Sequence, residues 1–296
     1  MYLKTVLATS RPSFLILAPI CVFLGLSTSL TIETSVNYHL FYTILAGTIL
    51  AHISVNTLNE YFDFKSGLDF KTLKTPFSGG SGSLPENPSM ASIVLLVGVT
   101  SLLSTIAIGI YLTIQSTIDI LFIGIAGVFL IVTYTQWLNR NPVLCLIAPG
   151  LGFGLLVVVG TQVVLTGQHS PFNWLVSLVP FFMMNNLLLI NQYPDISADA
   201  SIGRKTLPIS FGLNTSNLVY ALFSLSAYTL IGYLLITGQV PAPGIIALSP
   251  AGLSAYALYG AIKYTSDIAT APRFMAANVA ASLLTPLLLA LSIVYA

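Results

Sequence analysis

A chain of 296 residues in which 55% are hydrophobic and only 6% are charged has too few polar side chains to cover a soluble globule. Its mean hydropathy of +0.90 points the same way. Ten basic and nine acidic residues give a net charge of +1, which leaves no phosphate-tracking face and excludes nucleic acid as a partner. The composition is that of a polytopic membrane protein, all-α, folded as a helical bundle. Cys21 and Cys145 both lie inside apolar stretches and read as small core residues rather than as a disulfide or a metal pair.

A helix needs roughly 20 apolar residues to cross about 30 Å of hydrocarbon. Runs near that length fall in chain order at 13–30, 39–58, 91–111, 117–135, 143–166, 172–192, 216–237, 243–262 and 274–295, about nine transmembrane helices. Lys4 and Arg11 precede the first run as they would in a signal peptide, but no small-residue cleavage site follows it and eight more spans do, so it counts as span one. Span eight is interrupted by Pro250 and Gly252 and is expected to be short or kinked.

The ten basic residues set the orientation. Lys4 and Arg11 precede span one, Lys65, Lys71 and Lys74 follow span two, Arg140 follows span four, Arg204 and Lys205 follow span six, and Lys263 and Arg273 lie between spans eight and nine. All ten fall on one side, while the connections around 31–38, 112–116, 167–171 and 238–242 carry no Lys or Arg. The positive-inside rule then puts the N-terminus and the long loops in the cytoplasm and the C-terminus outside. The expected location is multi-pass and integral, in the plasma (inner) membrane if the source is bacterial.

Five of the nine acidic residues sit in two short motifs. Asn59-Glu60-Tyr61-Phe62-Asp63-Phe64-Lys65-Ser66-Gly67-Leu68-Asp69 closes span two, and Asn191-Gln192-Tyr193-Pro194-Asp195-Ile196-Ser197-Ala198-Asp199 closes span six. Carboxylates beside hydrocarbon are costly and imply a cation or a function. The motifs lie four spans apart and face the same side, as two parallel four-helix repeats plus a ninth helix would place them. His52, Asn56, Asn59 and Asp63 form one polar stripe at spacings of four, three and four. Asn191, Asp195 and Asp199 repeat at four and stack on one face for as long as the helix lasts, with Pro194 placed to disturb its last turn.

Oxygen ligands without His or Cys suit a hard cation, Mg²⁺ rather than Zn²⁺. Magnesium usually binds through a few carboxylates and substrate phosphates, so the implied ligand is phosphorylated. Lys65, Lys71, Lys74, Arg140, Arg204 and Lys205 are the nearby cations for a diphosphate cradle. A diphosphate head on a lipid tail explains a site built on membrane helices. The loop Thr75-Pro76-Phe77-Ser78-Gly79-Gly80-Ser81-Gly82-Ser83-Leu84-Pro85 is either a plain linker or a lid offering backbone N–H groups to phosphate. His52 reads as a packed, hydrogen-bonded helix residue, and Asn185 and Asn186 as inter-helix contacts.

The two motifs resemble those of the UbiA superfamily of intramembrane prenyltransferases, and the wording of the first is closest to the dihydroxynaphthoate (menaquinone) prenyltransferase branch. Gly203-Arg204-Lys205-Thr206-Leu207-Pro208, ending in Gly212, is similar to the segment after the second motif in that branch. Tyr134, Thr135 and Arg140 occupy the place of its Tyr-Thr pair and following basic residue. Two departures stand out: the last two aspartates of the first motif are six positions apart, and Phe153 in Gly150-Leu151-Gly152-Phe153-Gly154 stands where the branch has an acidic residue.

The resemblance implies that residues 1–296 form a single transmembrane prenyltransferase domain, an enzyme that transfers alkyl groups other than methyl. In it Asp63, Asp69, Asp195 and Asp199 hold Mg²⁺, and Asp63, Asp195 and Asp199 are catalytic. Asn59, Lys65, Tyr134, Arg140, Asn191, Arg204 and Lys205 bind substrate. The substrates are a polyprenyl diphosphate, ionised with Lewis-acid assistance, and an aromatic acceptor, dihydroxynaphthoate in menaquinone biosynthesis. Tyr61, Tyr134 and Tyr193 are the aromatic faces nearest to hand for the allylic cation, and the isoprenoid tail leaves sideways into the bilayer. No obligate protein partner is implied. Hydroxybenzoate, homogentisate, a tetrapyrrole or a glycerol-phosphate lipid are alternative acceptors. A cation-coupled secondary transporter is the alternative from another class, although transporter sites usually lie near the midplane and these carboxylates cluster at one face.

Overall fold

The computed structural model describes residues 2–33 and 35–295, and among the described residues every regular element is a helix. After a short helix at Tyr2–Thr9 come the membrane helices α1 (Pro12–Ser29), α2 (Tyr38–Ser66), α3 (Pro88–Gln115), α4 (Asp119–Tyr134), α5 (Pro142–Thr166), α6 (Pro171–Asn191), α7 (Leu207–Ile236), α8 (Ala242–Thr270) and α9 (Pro272–Val294). Eight are long and apolar enough to span; α4, with 16 residues, is shorter. At 1.5 Å per residue α4 covers roughly 24 Å, and a turn and the 3₁₀ segment Leu138–Arg140 carry the chain onward from it.

Local sequence accounts for most of the boundaries. Pro12, Pro142, Pro171, Pro208 and Pro272 stand at the first or second helical position, where a missing N–H costs nothing. Gly67 and Gly167 close α2 and α5 in the left-handed conformation. The expected weakness of span eight is real: α8 is a 3₁₀ segment, then helix from Ala251, then 3₁₀ again from Thr265. Span seven begins nine residues earlier than its apolar run, at Leu207, because the chain bends at Gly212 (φ 79°, ψ 169°) and a short helix precedes the bend.

The centre of the bundle is α1, α6, α7 and α9, joined by Leu24, Val176, Val179, Ile231, Leu234 and Leu289, all fully buried. Inter-helix hydrogen bonds reinforce it. Asn186 donates to Tyr220 O and Ser224 Oγ at 2.9 Å, and Asn278 Nδ2 donates to Asn186 O at 3.1 Å. Asn185 Oδ1 accepts from Gly150 N at 2.6 Å, at a place where Gly150 and Gly154 leave no room for a Cβ against α6. From Gly150 to Val157, α5 widens into a π-helix, a form that often accompanies functional sites. The helices α2, α3 and α4 extend from this packed centre, and together with α5, which packs on α1 and α6, they enclose a cavity.

Candidate active site

The cavity has a volume of about 650 Å³. Its walls are mostly apolar, with Ile44, Ile108, Ile123, Val128, Leu156 and Val164 among them, and its charged residues gather at one end. There Asn59, Asp63, Asp69, Asn191, Asp195, Asp199 and Arg204 all line it, with Arg11, Tyr134, Asn139 and Gln192. On its flank it is lined by Ile110 of α3 and Ile125 of α4, which are 51% and 59% exposed. The cavity therefore opens sideways between α3 and α4 as well as at its polar mouth.

The first motif is carried by one continuous helix. The stripe His52, Asn56, Asn59 and Asp63 lies on α2 and lines the cavity. Asn56 Nδ2 donates to Ser10 O at 2.9 Å, and Asn59 Oδ1 accepts from Thr135 Oγ1 at 3.0 Å. Asp69 follows the Gly67 stop on a 3₁₀ turn, so the six-residue interval after Asp63 still brings it into the mouth. The second motif is not one helix. α6 ends at Asn191, a turn follows, and Asp195 opens the short helix Ile196–Ser201. Pro194 brings no N–H to continue α6, which is why the spacing of four does not stack the three side chains.

Arg204 joins the two motifs. Its guanidinium donates from Nη1 to Asp199 Oδ1 at 2.9 Å and from Nη2 to Asp63 Oδ1. Burial opposes its charge, but Asp63 and Asp199 outweigh that and hold the guanidinium above its ordinary value. A second ion pair supports the first motif from behind. Arg11, in a left-handed turn ahead of α1, donates from Nη2 and Nε to Glu60 Oε1 at 2.8 and 3.0 Å. Glu60 is 1% exposed, and it also accepts from Ser81 N and Ser81 Oγ, both at 2.7 Å.

Those Ser81 bonds seat the glycine-rich loop across the mouth. Gly79 N donates to Asp195 Oδ2 at 3.0 Å, so the loop touches both motifs. Gly79, Gly80 and Gly82 all have positive φ, a conformation other residues rarely adopt. A Cβ on Gly80 would press to 3.0 Å from Asp69 Oδ1. Outside the cavity, Lys71 Nζ donates to Ser201 Oγ at 3.1 Å and draws the segments after the two motifs together.

The remaining carboxylates are open. Among the described residues, Asp69 Oδ2, Asp195 Oδ1, Asn191 Oδ1 and Arg204 Nε are buried without a hydrogen-bond partner. Burial first, then the charges of Glu60 and Asp63, pushes the Asp69 carboxyl up to about 7. Asp195 is pushed up to about 7 by burial and by Asp199, partly offset by the Gly79 N–H. Burial also raises Asp199, against Arg204. Three unpartnered oxygens and one unpartnered guanidinium nitrogen at the same mouth suit a hard cation together with an anion. No three acidic, histidine or cysteine side chains among the described residues converge closely enough to enclose a metal unaided. The expected set of four carboxylates is instead divided, Asp63 and Asp199 paired with Arg204, Asp69 and Asp195 left with free oxygens.

Three expected contacts differ. Lys65 is exposed, two residues and so roughly 200° around α2 from Asp63, with its ammonium 5.7 Å from the Tyr61 ring centre. Arg140 and Lys205 are exposed as well; their neighbours Asn139 and Arg204 turn inward instead. Of the three tyrosines, only Tyr134 lines the cavity. Tyr61 packs against the cluster of Leu84 and Met90, and Tyr193 is fully buried with its hydroxyl donating to Asn217 Oδ1 at 2.8 Å. Arg11 and Gln192 were missed as mouth residues. The signal for Arg11 was there: Glu60, Asp63 and Asp69 are three acids within ten residues and need more than one counter-charge.

The UbiA prenyltransferase family profile matches residues 16–283. The chain is 26% identical over 235 residues to the 1,4-dihydroxy-2-naphthoate octaprenyltransferase of Bacillus subtilis (strain 168), covering 77% of this chain and 73% of that one. It is 27% identical over 209 residues to the enzyme of the same name from Haemophilus influenzae, covering 69% and 68%. In fold it is similar to a digeranylgeranylglyceryl phosphate synthase (TM-score 0.68, 15% identity, 100% of this chain and 99% of that one). A UbiA homologue from Archaeoglobus fulgidus bound to DMAPP and Mg²⁺ is likewise similar (TM-score 0.66, 15% identity, 94% and 98%). The family match runs from the first membrane helix into the ninth, across a bundle whose two acidic motifs meet at one cavity mouth, and the chain belongs to the UbiA prenyltransferase family.

Proposed function

We propose that the protein transfers a polyprenyl group from a polyprenyl diphosphate to an aromatic acceptor, dihydroxynaphthoate for menaquinone biosynthesis, and that residues 1–296 act as one transmembrane domain. The observation that carries this reading is the pair of free carboxylate oxygens, Asp69 Oδ2 and Asp195 Oδ1, at the polar mouth of a long apolar cavity that opens toward lipid. The names of the Bacillus and Haemophilus relatives support the acceptor, and the Archaeoglobus homologue bound to DMAPP and Mg²⁺ supports the donor and the metal. The sorting of basic residues supports a cytoplasmic mouth, a cytoplasmic N-terminus and an outer C-terminus.

Asp63, Asp69, Asp195 and Asp199 would hold Mg²⁺ together with the substrate diphosphate, Asp69 and Asp195 through their free oxygens, with Asn59 and Asn191 beside them; all six line the mouth. Bound there, the metal supplies Lewis-acid neutralisation of the leaving diphosphate. Arg204 is already buried between the motifs and turns its unpartnered Nε to a phosphate oxygen. The backbone of the Gly79–Gly82 loop covers the mouth and keeps water from the allylic cation. Tyr134 offers its ring face to that cation, and the carboxylates of the second motif are placed to take the acceptor's proton. Lys65, Arg140 and Lys205, exposed at the same end, attract the anionic substrates from a distance.

The test is a panel of hydroxylated aromatic acceptors offered with one allylic diphosphate and Mg²⁺ to the detergent-purified protein. Diphosphate release that depends on dihydroxynaphthoate, with a prenylated, decarboxylated product by mass spectrometry, is the expected result. Absence of any prenylated aromatic across the panel overturns the reading.

A further inference from the structure

We infer that His52 is the residue that recognises the acceptor, by hydrogen-bonding a ring hydroxyl. The inference deepens the aromatic-transfer reading and rests on it. His52 is 5% exposed and lines the cavity, yet its Nδ1 is buried with no hydrogen-bond partner among the described residues. The expectation of an ordinary, hydrogen-bonded helix histidine is therefore not met. A buried ring nitrogen without a partner is destabilising; no hydrogen bond among the described residues holds the imidazole in place, and a turn of the ring brings that nitrogen to a ligand in the cavity.

The surroundings specify the ligand. The imidazole meets Phe153 edge to face, with ring centres 4.7 Å apart and planes at 64°, and Phe153 lines the cavity from the π-helical part of α5. Phe14, Leu17, Met184 and Leu187 also line the cavity, and Phe14, Leu17, Phe153, Met184 and Leu187 belong to one apolar cluster. A flat aromatic ring suits such walls. The acidic lining residues and Arg204 belong to the mouth, and the cation whose charge reaches His52, Arg11, is already paired with Glu60 at 2.8 Å. The group that meets His52 therefore has no free counter-charge to hold it and is a hydrogen-bonding one, a hydroxyl rather than a carboxylate.

Depth fits as well. On α2, at 1.5 Å per residue, His52 lies roughly 10 Å below Asn59 and roughly 16 Å below Asp63. That interval holds the end of the diphosphate, the first allylic carbon and one aromatic ring system, so a hydroxyl on the far side of the ring reaches the imidazole. By fixing that hydroxyl, His52 sets which ring carbon faces the allylic carbon. It is a specificity and positioning residue, with the leaving group and the acceptor's proton left to the carboxylates at the mouth.

The experiment compares wild type, H52A, H52F and H52Q in the full chain. One allylic diphosphate is used with dihydroxynaphthoate and with its methyl ether at the hydroxyl remote from the alkylated carbon. H52A and H52F are expected to raise the acceptor KM about tenfold or more, to leave the diphosphate KM within about twofold, and to lose the preference for hydroxyl over methyl ether. H52Q, which retains a hydrogen-bonding group, recovers part of that preference. H52F keeps an aromatic ring against Phe153, so it decides the matter if the H52A cavity collapses. An unchanged hydroxyl-to-ether ratio in H52F overturns the inference, as does a parallel rise in both KM values with a lower melting temperature in all three variants. A wild type that prenylates no hydroxylated aromatic overturns the reading beneath it, a distinct result because it appears before any variant is compared.

Discussion

The two acidic motifs share a spacing and little else. The first rides on an unbroken 29-residue helix and uses a glycine stop to turn its last aspartate inward. The second is folded across a helix end, a proline-containing turn and a short helix. Their carboxylates pair across the motifs through Arg204, which takes Asp63 from one and Asp199 from the other. The mouth therefore contains a neutralised pair and an open pair, and it is this division, more than the count of acids, that determines how it responds to charge.

Removing a carboxylate of either class should have the largest effect. Asp63→Ala and Asp195→Ala are each expected to lower turnover by roughly 10²-fold or more with membrane insertion intact, measured as diphosphate release and as yield in the membrane fraction. Normal turnover in either variant removes that residue from the site. The next effect tests the pairing. Arg204→Ala leaves Asp63 and Asp199 buried without a counter-charge, and breaking such a pair costs about 3 kcal/mol or more. The metal-free variant should melt well below wild type, and millimolar Mg²⁺ should recover much of the difference, read by thermal unfolding in detergent.

The open pair should show itself through pH. With Asp69 and Asp195 both pushed up to about 7, each carries a proton below that pH and must lose it to bind metal. Mg²⁺ affinity should therefore fall on acidification from pH 8 to 6, by on the order of tenfold for each group. Calorimetric titration in buffers of different ionisation enthalpy measures both the affinity and the protons released. Asp195→Asn should halve the logarithmic slope; a flat profile in wild type would break the distinction between open and neutralised acids. The smallest effect belongs to Lys65→Ala, Arg140→Ala and Lys205→Ala. Each should lower kcat/KM only a few-fold, and the difference should fade in high salt, as expected of long-range attraction.

Much of this arrangement was legible in the chain. Composition set the class, apolar runs located most of the helices, and the polar stripe on α2 was readable because a continuous helix preserves its 3.6-residue period. Span seven starts early because a short helix over 207–211 precedes the turn at Gly212, and it is separated from the long apolar run by the polar Asn214, Thr215, Ser216 and Asn217. In the second motif the spacing of four reads as helical while Pro194 marks the break; what the pattern does not carry is that the helix already ends at Asn191 and restarts after Asp195. Lys65, Arg140 and Lys205 could not be separated from Arg204 by sequence, since all stand at the same end and only backbone direction decides which side chain turns inward. The interlock of Gly79 with Asp195 and of Ser81 with Glu60 depends on tertiary contacts that no local pattern encodes.

The slot between α3 and α4 gives the proposed reaction a direction. Its two products differ in where they can dissolve: the diphosphate has a route only to water at the mouth, while the prenylated ring can slide between Ile110 and Ile125 into the bilayer. Once parted into two phases they do not meet again at the catalytic end, so the geometry works as a one-way valve, with the membrane itself acting as the sink that draws turnover forward.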